Sequence, residues 1–129
     1  MNVLILSPYP SSLISCLVKE GDNSIIHNDY FDIPFLLRNN IDFVVSYGYK
    51  FIVQKDIIEH MKNRIINLHI SFLPFNKGSH PNLWSHVEGT LSGVTIHQIE
   101  EGIDTGKILL RKEIKLDSKD HTFRSSYKI

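Results

Sequence analysis

A single cysteine, Cys16, leaves the chain unable to form an internal disulfide. The start shows no basic stretch followed by an apolar h-region, so no secretory leader is read and a reducing cytoplasm is the expected compartment. No apolar run approaches the roughly 18 residues of a membrane span. Charge of one sign does not accumulate either, because fourteen Lys plus Arg face fourteen Asp plus Glu. That balance removes any general attraction for a phosphate backbone or an anionic membrane, so neither nucleic acid nor membrane is expected as a partner. A small molecule is the more natural one, and the composition leaves room for an oligomer. The seven histidines invite a metal reading. However, His60, His69, His80, His86 and His97 form no H-x-x-x-H pair and one cysteine cannot help, so no metal is expected.

What remains is an ordinary globular composition, 42% hydrophobic and 22% charged over 129 residues, which predicts one domain over 1–129 with a real core. Asn2-Val-Leu-Ile-Leu6 reads as a buried strand ended by Ser7-Pro8-Tyr9-Pro10, and Ser11 or Ser12 can cap a helix that stops near Gly21. Ser24 to His27 reads as a second strand. Asp32 is placed to cap a helix through Leu36 and Leu37, and Ile41 to Ser46 is a β-branched run typical of a strand buried on both faces. Asp56 opens a helix with Ile57, Ile58 and Met61 on one side, and Ile65 to Ile70 is again a strand. Beyond it the chain changes character: a loop punctuated by prolines runs from Ser71 to Asn82, and a helix is predicted over Pro81 to Glu88. Gly93 to Ile99 alternates with period two, Lys107 to Lys115 is a further strand, and Glu100 to Gly106 joins them as a hairpin connection. The alternation predicts an α/β, Rossmann-like three-layer sandwich whose sheet is mostly parallel but mixed. In such folds ligands bind beyond the carboxyl ends of the strands.

Within this frame Asn67-Leu68-His69 stands out, because two-residue spacing in a strand puts the amide and the imidazole on one face. Such a pair is often no more than two buried polar groups satisfied by nearby backbone. Here the strand runs straight into Ser71-Phe-Leu-Pro74, the kind of strand-end loop where α/β proteins place sites. Asp104 lies in Glu100-Glu101-Gly102-Ile103-Asp104-Thr105-Gly106, where glycines at both ends permit tight backbone geometry. Taken alone it reads as a turn-capping aspartate.

Together these stretches carry a resemblance. Ile66-Asn-Leu-His-Ile-Ser-Phe-Leu-Pro74, Lys77-Gly78, Gly93-Val-Thr-Ile-His97 and Gly102-Ile-Asp-Thr-Gly106 occur in the order of the formyltransferase family, whose pattern is N-x-H-x-S-x-L-P, a G-x-T-x-H strand and an acidic D-x-G loop. The family includes glycinamide ribonucleotide formyltransferase, methionyl-tRNA formyltransferase and the N-formyltransferases of nucleotide-linked amino sugars; the stretch Phe75 to Trp84 is most similar to the amino-sugar and uncharacterised bacterial branches. The resemblance implies the formyltransferase fold, N10-formyltetrahydrofolate as formyl donor, and a primary amine of a small molecule as acceptor. It carries the catalytic roles onto Asn67, His69 and Asp104. An asparagine amide can donate to the formyl oxygen as it gains negative charge, a histidine can carry a proton near neutral pH, and a carboxylate can orient it and receive the amine's proton. The resemblance also places the folate against the loop after the central strand, on Tyr49, Lys50, Phe51 and Ile52, and against Gly102 and Asp104. Gly48 there can relax the backbone.

The chain departs from the family in two places. Ser7-Pro8-Tyr9-Pro10-Ser11 replaces the glycine-rich phosphate loop of some members, and only 66 residues precede Asn67, so the N-terminal half is expected to be shortened. His121 to Ile129 resembles the first turns of a helix that stops early, so a truncated C-terminal end is expected as well. Two rival readings accompany the small-amine enzyme: a methionyl-tRNA formyltransferase-like enzyme, and a non-catalytic folate-binding remnant.

Overall fold

The computed structural model describes residues 1–70, 93–101 and 106–113. The predicted loop at 71–82, the predicted helix at 81–88 and the acidic loop at 102–105 lie outside the described residues. Among the described residues six strands form a mixed sheet. By internal contacts the chain divides into two units, Met1–Leu68 and His69–Ile129.

In the first unit, β1 (Asn2–Leu6), β2 (Asn23–Ile26), β3 (Phe43–Ser46) and the start of β4 (Ile65–His69) pair in parallel. β1 lies between β2 and β3, with Leu4 opposite Ile25 on one side and Val44 on the other. Its apolar run is spent on burial: Val3, Leu4, Ile5 and Leu6 are all buried, together with Leu36, Ile41, Val44, Val53, Ile57, Met61 and Ile65. β3 was expected to be buried on both faces, but Phe43 and Val45 are only half-covered while Val44 and Ser46 are buried.

The first helix ends where expected but does not start as expected, and the second starts where expected. α1 (Ser11–Lys19) ends as predicted at Gly21, whose φ of +79° sits in the left-handed region that glycine tolerates. The Gly21 and Asp22 amides close the turn onto Val18 and Leu17 carbonyls. No side chain caps its start. Pro10 occupies the cap position with helical φ and ψ, and its carbonyl already accepts from the Ile14 amide at 2.9 Å. Ser11 therefore falls inside the first turn instead of capping it, a correction to the expected serine cap. In α2 (Ile33–Arg38), Asp32 caps as predicted, its carboxylate accepting from the Phe35 amide at 2.9 Å. α3 (Lys55–His60) buries Ile57, and Met61 just beyond it is also buried.

In the second unit β5 (Gly93–Gln98) and β6 (Ile108–Glu113) are antiparallel, with Thr95 opposite Arg111 and an irregularity between Ile96 and His97. Along β5 burial alternates, with Gly93, Thr95 and His97 buried, as its period-two pattern requires. Among the described residues no helix is long and apolar enough to cross a membrane.

Candidate active site

β4 carries the first two candidate side chains. Ser46 at the end of β3 is in register with Asn67, which is half-buried, and two residues further on the His69 side chain is buried at the strand's carboxyl end. The amide and imidazole thus share one face of one strand, as their spacing predicted.

In the second unit His69 has a buried neighbour, His97, with ring centroids 6.4 Å apart and planes inclined by 73°. His97 Nδ1 lies 2.9 Å from the Gln98 carbonyl oxygen. A carbonyl can only accept, so Nδ1 carries the proton and, in the neutral ring, Nε2 is left as an acceptor. The same carbonyl explains Gly106. A Cβ built there would lie 1.6 Å from the Gln98 oxygen, so only glycine fits where the acidic loop rejoins the hairpin. The Gln98 amide bonds to the Lys107 carbonyl at 2.8 Å and fixes the same junction. Gly102 and Asp104, between these described positions, lie outside the described residues. His97 came from the G-x-T-x-H strand with no assigned task; its burial beside His69 is what the sequence left open.

The proposed folate loop leaves β3 in the first unit. Gly48 takes a φ of +72°, the relaxation anticipated for it, and the Tyr47 amide holds the loop's first residue to the Leu6 carbonyl at 2.9 Å. Phe51 and Tyr49 form an edge pair at 5.5 Å, and the Lys50 ammonium lies 5.0 Å above the Phe51 ring. Ile52 is 79% exposed, an unusual position for an isoleucine, while Val53 beside it is buried. Tyr30, from the loop after β2, was not singled out by the sequence; it packs on Phe51 with centroids 4.0 Å apart. No three-residue histidine, cysteine or carboxylate cluster able to hold a metal occurs among the described residues.

Two phenols in this region have raised pKa values. Burial pushes Tyr47 up, with Tyr9 adding to the effect. Burial, then the Asp29 charge and Tyr30, push Tyr49 up to about 12. A raised folded-state pKa means that the folded protein holds this proton more tightly than the unfolded chain. Its contribution to stability is complete below the ordinary tyrosine value near 10 and is lost as pH rises through about 12. Alkaline absorbance titration is therefore expected to show late-ionising tyrosine, and Tyr49→Phe should remove the step near 12 while leaving the raised Tyr47 step.

With this geometry in place, comparison with known proteins is decisive. A model of the formyl transferase family matches residues 34–128. The chain belongs to the formyl transferase family. Against the crystal structure of the formyltransferase PseJ from Anoxybacillus kamchatkensis, it is 42% identical, with a TM-score of 0.90 over 99% of this chain and 67% of that one. That structure is a complex with UDP-4,6-dideoxy-4-formamido-L-AltNAc and tetrahydrofolate. A sugar N-formyltransferase from Shewanella is 26% identical, with a TM-score of 0.74 over 99% of this chain and 62% of the other. Methionyl-tRNA formyltransferase from Thermodesulfovibrio yellowstonii is 41% identical over 91 residues, 70% of this chain. The match spans only 30% of that relative's length. The α/β formyltransferase fold expected from the sequence is thereby established, mixed sheet included.

Proposed function

We propose that the chain transfers a formyl group from N10-formyltetrahydrofolate to a primary amine of a nucleotide-linked amino sugar. The observation that carries this reading is the likeness to PseJ, whose complex pairs a formamido sugar nucleotide with tetrahydrofolate and whose match runs through nearly the whole chain. The family match crosses the boundary between the two units, which supports treating 1–129 as one catalytic domain.

The donor supplies an activated formyl carbon. The acceptor nitrogen bonds to that carbon, the bond from carbon to N10 breaks, N10 gains a proton and the amine loses one, leaving a formamide and tetrahydrofolate. Asn67 donates its amide to the formyl oxygen as that oxygen gains charge. His69 carries a proton near the breaking bond, and Asp104 orients His69 and takes the proton leaving the amine, directly or through water. No covalent bond to the protein is required. Phe51 and the exposed Ile52 offer apolar surface of the kind a pterin ring packs against, and Lys50, Tyr49, Gly102 and Asp104 complete the proposed donor site.

A second reading has its own support, because the methionyl-tRNA enzyme is 41% identical over the matched region. Zero net charge weighs against a tRNA acceptor. Incubation with formyl-folate and either UDP-linked amino sugars or charged initiator tRNA separates the two. The amino-sugar reading expects formyl gain on the sugar nucleotide and no gel shift with tRNA; a folate-binding remnant would bind reduced folate and formylate neither.

A further inference from the structure

The loop after β2 carries no motif in the sequence, yet it is held by contacts of its own. Within it the Asp29 carboxylate accepts from the Tyr30 amide at 2.7 Å. The His27 ring lies 3.0 Å through Nε2 from the Tyr30 carbonyl, which can only accept. Phe35 packs on the His27 ring at 4.5 Å and keeps that donor in place. Three contacts from this loop reach the loop after β3; in one of them the Phe31 ring lies 6.3 Å from the Tyr49 ring, inclined by 55°. The Tyr49 hydroxyl donates to the Asp29 carbonyl at 2.7 Å, and the Tyr30 ring covers Phe51 at 4.0 Å with an inclination of 38°. Tyr30 is itself 63% exposed, so its packing on Phe51 is not a by-product of core burial.

We propose that Asp29, Tyr30 and Tyr49 are positioning residues that hold the loop after β3 in the conformation that receives the reduced folate. The inference rests on the folate reading above and changes it in one respect. The Tyr49 hydroxyl is committed to the Asp29 carbonyl, so Tyr49 acts through the loop's backbone, while Phe51 and Ile52 face the ligand. With Ile52 left largely in water and Gly48 at positive φ, this loop gains order from the contacts made by the loop after β2. Ordering it in advance spares the ligand that entropic cost, which is how a residue that touches no ligand raises affinity.

The test compares the full chain with Tyr49→Phe, Tyr30→Ala and Tyr30→Phe by calorimetry with tetrahydrofolate, thermal melts, and hydrogen exchange of amides 47–53. Tyr49→Phe removes one hydrogen bond and Tyr30→Ala one ring pair. Each is expected to weaken tetrahydrofolate binding about 3- to 10-fold and to speed exchange in the loop, with the melting temperature nearly unchanged. Tyr30→Phe keeps the ring and should bind like the parent. Tyr49→Phe and Tyr30→Ala proteins that bind as tightly as the parent would overturn the proposal. A folded parent that fails to bind tetrahydrofolate at millimolar concentration would sink the donor reading instead. Exchange then decides the brace alone: faster loop exchange in Tyr49→Phe upholds it, and unchanged exchange overturns it.

Discussion

Asn67→Ala is expected to slow formyl transfer by about 10²- to 10³-fold, roughly 3 to 4 kcal/mol of barrier, which is the usual cost of removing one preorganised donor to a developing oxyanion. The amide sits half-buried on β4, in register with Ser46, so its position is fixed by the parallel ladder and not by a mobile loop. A donor held in this way requires no reorganisation as charge develops, and its effect belongs in kcat more than in substrate affinity. The competing account makes Asn67 a buried polar group that merely satisfies its neighbours. Its removal would then cost about 1–3 kcal/mol of stability and leave the rate per folded molecule intact. Melts and rates measured together on Asn67→Ala separate the two. Asn67→Asp sharpens the comparison, since it keeps the shape, removes the donor and adds a charge of the wrong sign; the catalytic account expects it to be at least as slow as alanine.

Gly106→Ala is expected to cause a large loss of stability in the hairpin. The added methyl would lie 1.6 Å from the Gln98 carbonyl oxygen, a backbone atom that cannot swing aside as a side-chain tip can. Overpacking of this kind typically costs about 1–3 kcal/mol, and a clash against backbone belongs at or beyond the upper end of that range. Relief requires the Gln98 carbonyl to move, and with it the 2.9 Å contact to His97 Nδ1 and the 2.8 Å bond from the Gln98 amide to Lys107. The variant is thus expected to disturb His97 before it unfolds the strands. Denaturant melts with a histidine ring spectrum would follow both; a fully stable variant with an unchanged His97 signal would contradict the tight junction.

Much of this was legible in the sequence, for reasons that differ between elements. β1 and β5 were readable because one is a continuous apolar run and the other a strict alternation, and each pattern matches a burial the fold supplies. Asp32 was readable as a cap because its carboxylate has one local amide to serve. The N-x-H pair was readable because strand periodicity fixes which side chains share a face. The serine cap of α1 failed because the backbone of Pro10 entered the helix first, and side-chain preference carries no information about that. The Tyr30 and Asp29 support was invisible for another reason: β2 and β3 are separated by β1 in the sheet, so no local pattern joins their loops. Gly106 read only as a permissive loop residue, since a carbonyl eight positions away has no signature in the chain.

Mass spectrometry of a UDP-linked 4-amino sugar incubated with N10-formyltetrahydrofolate and the purified chain, run beside His69→Ala, reads the proposed transfer itself. The expected result is a product heavier by one formyl group, tetrahydrofolate released in equal amount, and near-complete loss of both with His69→Ala. A folded parent that leaves every nucleotide-linked amino sugar unmodified would contradict it, as would a His69→Ala chain that formylates at the parent's rate.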